Sequence, residues 1–219
     1  MRVPDGVGDV AAAGINVTYG TAVHGLRDRG RLKAGETVAV LGASGGAGLA
    51  AVEVAHAMGA RVIAAASSAE KLSVCLSHGA EAGIDYTRED LKQRLRDLTD
   101  GRGVDVIYDC VGGAYAEPAL RSIAWEGRFL VVGFAAGDIP KLPLNLLLLK
   151  GCDAAGVFWG EFATRNPDRH AANMAEVLDW IASGRLKPHT HKTFALAETA
   201  AAIGVLDRRE ATGKVVVVM

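Results

Sequence analysis

Runs of apolar residues alternate along the chain with segments of helical length. Six runs have the length and apolar content of strands: residues 37–41, 61–66, 82–85, 104–109, 127–133 and 153–158. The pattern predicts helices over residues 46–58, 68–78, 89–99 and 171–183. Strands that alternate with helices in this way are typical of a parallel sheet covered by helices. The pattern therefore predicts an α/β fold with a doubly wound, six-stranded parallel sheet.

Two segments flank this pattern. Residues 9–29 form an alanine-rich helical segment that ends at Gly30, a residue type that often terminates helices. The last part of the chain has the pattern of a strand, a helix and a terminal strand, at 190–194, 198–208 and 214–219. About 30 residues are too few to bury a core of their own. We therefore expect a leading helix and linker (1–33), a sheet domain (34–187) and a C-terminal segment (188–219) that belongs to a second domain.

A cluster of glycines separates the first strand from the first helix of the sheet. It reads Gly42-Ala-Ser-Gly-Gly-Ala-Gly48, one residue longer than the common G-x-G-x-x-G spacing of dinucleotide-binding loops. Glycines here let backbone amides approach a pyrophosphate, and the amino terminus of the helix adds favourable partial charge. The cluster therefore predicts a dinucleotide-binding domain of the Rossmann type.

The end of the second strand indicates which dinucleotide binds. An NAD site usually has an acidic residue there, about 20 residues past the glycines, to hold the ribose hydroxyls. This chain instead reads Ala66-Ser67-Ser68, followed by Lys71, and its nearby acid Glu70 falls inside the next helix. Two hydroxyls and a lysine suit a 2′-phosphate, so we predict NADP(H) as the cofactor.

Composition and charge narrow the function classes further. The 219 residues carry 24 Lys and Arg against 25 Asp and Glu, a net charge of −1, which does not indicate a nucleic-acid partner or a membrane-binding basic face. The longest apolar run, 142–149, is far short of the ~20 residues that span a bilayer. The widely spaced Cys75, Cys110 and Cys152 do not form a disulfide or zinc pattern. We therefore expect a soluble, cytoplasmic protein.

Candidate catalytic and metal-binding residues are few. No general acid or base stands out, and the tyrosines lack the lysine four residues later that short-chain dehydrogenases require. His189 and His191 alternate along a predicted strand and share a face, but no third ligand is apparent near them. We therefore predict neither a catalytic residue nor a metal site in this chain.

Several motifs together resemble one family. The chain is similar to the zinc-independent NADPH:quinone oxidoreductases, the zeta-crystallin-like members of the medium-chain dehydrogenase/reductase superfamily. Beyond the glycine cluster, the motifs that carry this resemblance are Tyr19-Gly-Thr-Ala, Gly35-Glu-Thr, Ala65 to Lys71, Ile84-Asp-Tyr, Arg102-Gly-Val-Asp, Tyr108-Asp-Cys-Val-Gly-Gly and Ala211-Thr-Gly-Lys. The likeness extends over nearly the whole chain.

The resemblance implies roles for individual residues. It implies a pyrophosphate site at Ser44, Gly45, Gly46, Ala47 and Gly48. It implies a 2′-phosphate pocket at Ser67, Lys71 and Tyr86, and a nicotinamide half lined by Thr21, Gly112, Gly133 and Phe134. A family arginine that reaches the 2′-phosphate lines up with Glu210, which leaves Arg208 and Arg209 as alternatives.

The resemblance also implies what the chain does. Family members begin with a GroES-like catalytic domain that this chain lacks, and their C-terminal segment completes that domain. We expect the parent enzyme to transfer hydride from NADPH to a quinone or an α,β-unsaturated carbonyl. An enoyl-type reductase of an activated alkene and a catalytically silent nucleotide-binding module remain alternatives. The chain alone is expected to bind the cofactor but to turn over poorly.

An assembly is predicted as well. The sixth strand lies at the edge of the predicted sheet, and residues 154–158 carry no lysine or proline that would discourage pairing. The resembling family dimerises through this edge. We therefore predict a homodimer through the sixth strand.

Overall fold

The structure is a computed structural model, and it describes residues 3–219. The strands of this part are β1 (Thr37–Leu41), β2 (Arg61–Ala66), β3 (Ala82–Asp85), β4 (Val104–Asp109), β5 (Ile123–Val131), β6 (Asp153–Gly156), β7 (Thr190–Ala195) and β8 (Lys214–Val218). The helices are α1 (Asp9–Val23), α2 (Gly46–Ala57), α3 (Ala69–Ser77), α4 (Leu91–Asp97), α5 (Ala116–Arg121), α6 (Leu144–Lys150), α7 (Trp159–Arg165), α8 (Pro167–Ala182) and α9 (Thr199–Asp207). None of these helices is long and apolar enough to cross a membrane.

The first six strands form one parallel sheet in the order β3-β2-β1-β4-β5-β6. This is the strand order of the doubly wound Rossmann fold, and the predicted fold class is confirmed. The sheet is buried on both faces because its strands carry apolar residues on both sides, and successive side chains point to opposite sides. In β1, Val38 and Val40 face one apolar core, whereas Ala39 and Leu41 face the other.

Several boundaries differ from the predicted pattern, and three helices were not predicted. β5 begins at Ile123 rather than at 127, and β6 ends at Gly156, because the chain leaves the sheet there and enters α7. The sequence pattern did not predict α5, α6 or α7. They span only 6 or 7 residues, a length at which helical periodicity is hard to recognise.

The leading helix packs across the sheet domain. α1 continues without a break into a π-helix at His24–Arg29, and the helical segment ends at Gly30 as predicted. Its buried residues pack in the same apolar core as those of α2 and α8. This position brings the middle of α1 beside the glycine cluster, because a Cβ atom at Gly46 would lie 3.6 Å from Thr18 Cγ2.

The C-terminal segment forms a small unit of its own. β7 and β8 pair with each other in parallel and are separate from the main sheet. Large apolar side chains on and around this unit are exposed: Leu196, Ile203, Leu206, Val217 and Val218. A two-stranded sheet alone is marginally stable, so the assignment of this segment to a further domain remains a prediction that agrees with its open apolar surface.

Candidate cofactor-binding site

The glycine cluster forms the turn between β1 and α2. Gly42 has a φ of +70°, a conformation that favours glycine. Gly45 caps α2 in an extended conformation, and its carbonyl oxygen accepts the Leu49 amide at 2.8 Å. The first amides of a helix have no acceptor inside it. The amides of residues 46–48 therefore offer the donors with which helix amino termini bind anions, and their contact with a pyrophosphate remains a prediction.

The glycines differ in how strictly they are required. A Cβ atom at Gly48 would overlap the carbonyl oxygen of Gly42, so this position keeps helix and strand in close contact. At Gly46 it would lie 3.2 Å from the carbonyl oxygen of Gly213, and at Gly45 the nearest atom would be 3.5 Å away. Gly48 is therefore required by packing, whereas Gly45 leaves room for a ligand to approach.

The C-terminal segment is hydrogen-bonded to the backbone of the glycine cluster. The amide of Gly213 donates to the carbonyl oxygen of Ser44 at 2.8 Å. Gly45 and Gly213 form an isolated parallel bridge. The loop is therefore shaped by residues almost 170 positions apart in the chain as well as by its own glycines.

A cleft of about 430 Å³ opens in front of this loop. It lies beside the carboxyl ends of β1 and β4, where the strand order reverses and where ligands bind in such sheets. Its lining residues are Gly42, Ser44, Gly45, Gly46, Ser67, Lys71, Tyr86, Val111, Tyr115, Ala135, Ala136, Leu206, Arg209, Ala211 and Gly213. Within residues 3–219, this lining contains two cations and no carboxylate.

The three residues of the predicted 2′-phosphate pocket lie together in this cleft. Lys71 Nζ lies 3.2 Å from Ser67 Oγ and 2.8 Å from the carbonyl oxygen of Arg209. Burial raises the pKa of Tyr86, which keeps its hydroxyl protonated and able to donate a hydrogen bond. Glu70 does not line the cleft.

Of the alternative arginines, Arg209 is the one in the cleft. Its guanidinium donates to the carbonyl oxygen of Ala135 at 3.1 Å. Arg208 instead pairs with Glu210 at 2.7 Å and does not line the cleft. Arg209 also has a φ of +56°, which is unusual for an arginine. The sequence does not indicate which of the two arginines reaches the cleft, because adjacent arginines differ only in their tertiary contacts.

None of the four residues predicted for the nicotinamide half is in the lining of the cleft. Gly112 and Gly133 follow the carboxyl ends of β4 and β5, and Phe134 is 40% exposed. A Cβ atom at Gly112 would lie 2.8 Å from a ring carbon of Phe134. The hydroxyl of Thr21 donates to the carbonyl oxygen of Val17 within α1. Their contact with a cofactor remains a prediction.

Sequence reasoning missed Tyr115. Its ring lies 4.4 Å from that of Tyr86, measured between centroids. Both tyrosines line the cleft and also a neighbouring cavity of about 550 Å³. The only feature of the sequence that could have indicated Tyr115 is its position just after Gly112 and Gly113, which follow β4.

A second missed feature is a buried acidic residue in α2. Glu53 is 4% exposed, and its carboxylate accepts a hydrogen bond from the Tyr19 hydroxyl at 2.6 Å and contacts the ring of His78. The ring of His78 lies edge-on to that of His189. This network joins α1, α2 and α3 to the start of β7.

The paired histidines of the C-terminal segment share a hydroxyl. His189 and His191 each lie within hydrogen-bond distance of Thr212 Oγ1, at 3.1 and 3.3 Å. Within residues 3–219, no three His, Cys, Asp or Glu side chains are grouped so that they could hold a metal ion.

Comparisons with known proteins agree with this architecture. Residues 46–183 match the family described as zinc-binding dehydrogenase. The chain is 40% identical over 218 residues to quinone oxidoreductase-like protein 2 homolog of Nematostella vectensis, and the match covers 99% of this chain and 60% of that protein. It is 32% identical over 218 residues to phthioceranic/hydroxyphthioceranic acid synthase of Mycobacterium tuberculosis, covering 98% of the chain and 10% of the synthase. The structure of Escherichia coli quinone oxidoreductase complexed with NADPH superimposes with a TM-score of 0.92 at 26% identity, covering 100% of this chain and 68% of that one.

The fold and the glycine loop define a nucleotide-binding domain of the doubly wound class. The chain belongs to the zinc-binding dehydrogenase family of medium-chain dehydrogenase/reductases, and it is the cofactor-binding part of a quinone oxidoreductase-like member. It spans about 60% of the length of the curated relatives it matches. Independence from zinc remains a prediction.

Proposed function

We propose that this chain binds NADP(H) in the cleft in front of the glycine loop. The pyrophosphate contacts the amides of residues 46–48, and the 2′-phosphate contacts Ser67, Lys71 and Tyr86. The observation that carries the proposal is the lining of the cleft, which brings Lys71 and Arg209 together beside the glycine loop and contains no carboxylate among the described residues. A related structure, the quinone oxidoreductase of Escherichia coli, is complexed with NADPH.

We propose that the parent protein is an NADPH-dependent oxidoreductase that reduces a quinone or an α,β-unsaturated carbonyl. The bound cofactor supplies the hydride. The residues of this chain bind and orient it, and orientation can lower a barrier by roughly 7–11 kcal/mol when both reactants are held. The second wall of the substrate cleft belongs to a GroES-like domain that the C-terminal segment 188–219 completes.

Calorimetry and a turnover assay test both parts of this proposal. The 219-residue chain is titrated with NADPH and NADH, and NADPH oxidation with a simple quinone is then compared between this chain and a version joined to the amino-terminal domain of a relative. We expect NADPH to bind to both proteins and turnover to be substantial only in the joined one. Equal affinities for NADPH and NADH contradict the cofactor assignment, and full turnover by the short chain contradicts the proposed location of the active site.

A second candidate activity is that of an enoyl-type reductase acting on an activated alkene such as an acyl-thioester. It is supported by the similarity to a segment of a protein named as an acid synthase rather than a quinone oxidoreductase. The same joined protein distinguishes the two when it is assayed with a quinone and with an enoyl thioester. Binding without turnover of either substrate favours a catalytically silent nucleotide-binding module.

We also propose a homodimer and a cytoplasmic location. β6 is the last strand of the sheet, and exposed Trp125, Leu148 and Leu149 lie on elements that adjoin it in the chain or in the sheet. These exposed side chains support pairing with a second copy across the outer side of β6, where the Arg29 guanidinium donates to the carbonyl oxygen of Gly156 at 2.9 Å. All three cysteines are free thiols, which supports a reducing compartment.

A further inference from the structure

Asp109 ends β4 and is 3% exposed. One oxygen of its carboxylate, Oδ1, accepts the amide of Val111 at 2.8 Å and the amide of Gly112 at 2.9 Å. These two bonds wrap the loop that follows β4 around the aspartate side chain. Gly112 is held there with a φ of +67°.

The backbone of the same residue holds a second loop. The carbonyl oxygen of Asp109 accepts the amides of Val132 and Gly133, at 3.0 and 3.2 Å. These residues follow β5, the next strand of the sheet. Asp109 therefore accepts hydrogen bonds from the first residues of both loops, those after β4 and those after β5.

The two loops then interlock beyond Asp109. The amide of Ala135 donates to the carbonyl oxygen of Cys110 at 3.1 Å, and the amide of Ala136 donates to that of Val111 at 2.9 Å. Gly112 lies so close to Phe134 that a Cβ atom would fall 2.8 Å from its ring. The positions of Gly112, Gly133 and Phe134 relative to each other are thus set by contacts that begin at Asp109.

Asp109 occupies this position at a cost. Within residues 3–219 it pairs with no cation, and burial raises the pKa of its carboxyl group while the two amides oppose that shift. A buried carboxylate without a cation is unfavourable unless its hydrogen bonds compensate for lost hydration. Bonds between an amide and an ionised carboxylate are stronger than neutral ones, which suits a residue that must keep a loop in one conformation.

The place of the loops in the sheet indicates which part of the cofactor they serve. A dinucleotide lies across the point where the strand order reverses, with one half on each side. Ser67 and Lys71 follow β2, on one side of β1. The loops after β4 and β5 lie on the other side, which is therefore the side of the nicotinamide half.

We propose that Asp109 is a positioning residue that sets the conformation of the loops 110–113 and 132–136 and thereby orients the nicotinamide half of the cofactor. This inference rests on the proposed binding of NADP(H). It predicts that loss of the Asp109 carboxylate weakens contacts with the nicotinamide half and leaves contacts with the 2′-phosphate and the pyrophosphate unchanged.

The test compares two ligands on the 219-residue chain by calorimetry. NADPH is measured against 2′-phospho-ADP-ribose, which lacks only the nicotinamide. We expect the wild-type chain to favour NADPH about five- to tenfold, the range expected from one or two hydrogen bonds. In Asp109→Ala this ratio should fall toward one while the affinity for 2′-phospho-ADP-ribose stays the same. Asp109→Asn, which keeps an acceptor oxygen in place, should retain most of the ratio.

A matched control and a second readout separate positioning from loss of stability. Asp105 lies at the opposite end of β4, and its carboxylate accepts the Thr37 amide at 2.7 Å, so Asp105→Ala should lower stability without changing the ligand ratio. Hydrogen exchange of the Val111 and Gly112 amides without ligand should be faster in Asp109→Ala than in Asp109→Asn. If Asp109→Ala does not fold, Asp109→Ser is measured in its place; its neutral hydroxyl accepts the same amides more weakly than the carboxylate, so it should lower the ratio part of the way.

Each outcome decides the inference. A ratio that stays unchanged in the Asp109 variant overturns it, as does a wild-type chain that binds NADPH and 2′-phospho-ADP-ribose equally well, although NADP(H) binding would then still stand. A wild-type chain that binds neither ligand contradicts the proposed function itself, and the inference falls with it.

Discussion

The Nζ atom of Lys71 lies 2.8 Å from the carbonyl oxygen of Arg209, a residue 138 positions later in the chain. The lysine follows β2, whereas the arginine follows α9 of the C-terminal segment. The contact uses the backbone of Arg209, and both side chains line the same cleft. It also means that the proposed phosphate pocket is complete only when the C-terminal segment is docked on the sheet domain.

The first prediction concerns the choice of nucleotide. A charge-assisted contact with a phosphate is worth about 1.5–3 kcal/mol, or roughly 10- to 100-fold in affinity. We expect the wild-type chain to bind NADPH at least about tenfold tighter than NADH, and Lys71→Ala to remove most of that difference without weakening NADH binding. Calorimetry measures both. Lys33→Ala, at an exposed lysine that does not line the cleft, is the control and should leave the preference unchanged.

The second prediction separates two adjacent arginines. Arg209 lines the cleft, whereas Arg208 is paired with Glu210 outside it. Arg209→Ala should weaken NADPH binding about tenfold, as expected for one lost contact with a charged group, and Arg208→Ala should not. Equal effects of the two substitutions on the dissociation constant would show that Arg209 has no specific role.

The third prediction concerns packing beneath the glycine loop. A Cβ atom at Gly48 would overlap the carbonyl oxygen of Gly42, whereas at Gly45 it meets no atom closer than 3.5 Å. Overpacking of this kind costs about 1–3 kcal/mol, so Gly48→Ala should lower the free energy of unfolding by that amount. Gly45→Ala should leave it nearly unchanged. Urea unfolding of both variants measures the difference, and similar midpoints would contradict the proposed packing role.

The fourth prediction tests the dimer through β6. The Val157 amide donates to the carbonyl oxygen of Val131 inside the sheet, at 2.9 Å. Because alternate amides of a strand point to opposite sides, the Ala154 amide faces the open edge. Light scattering should show a dimer for the wild-type chain and a monomer for Ala154→Pro, which removes that donor. Ala154→Gly keeps the amide and should remain dimeric, and a monomeric wild-type chain at micromolar concentration would refute the proposal.

The fifth prediction is a loss of stability in alkali. Burial raises the pKa of Tyr19, as does the Glu53 carboxylate beside it, and burial raises the pKa values of Cys75 and Cys110 to about 12. The folded state therefore favours the protonated form of each group. The resulting stabilisation of the folded protein is fully present below the unfolded-state pKa values. It is lost progressively as pH rises from the unfolded-state values through the folded-state values. The free energy of unfolding should therefore fall above about pH 8.5, where unfolded cysteines begin to ionise, and more steeply above about pH 10, where tyrosines do.

Tyr19→Phe isolates one contribution to this slope. The variant should be less stable at neutral pH because Glu53 loses a hydrogen bond. Above about pH 10 its free energy of unfolding should fall less steeply than that of the wild-type chain, by up to about 1.4 kcal/mol per pH unit. Denaturant titrations at several pH values give both slopes, and equal slopes would show that Tyr19 does not ionise on unfolding in this range.

The main sheet and the glycine loop could be predicted from the sequence. β1, β2, β3 and β4 have the predicted bounds because each is an apolar run of strand length between breaks, and the glycine cluster lies between β1 and α2 as expected. These features depend on neighbours within a few residues, namely side-chain alternation, helix termination and the small size of glycine. The lysine and hydroxyls after β2 could be recognised for the same reason.

The distant residues that complete the candidate site could not be predicted, because long-range contacts bring them together. Nothing local distinguishes Arg209 from Arg208, and the contact of Lys71 with Arg209 exists only because the chain after α9 returns to α3. The pairing of β7 with β8, the burial of Glu53 against Tyr19 and His78, and the position of Tyr115 beside Tyr86 likewise join segments far apart in the chain. Such contacts depend on long-range packing and on the removal of polar groups from water, and neither leaves a periodic signal in the sequence.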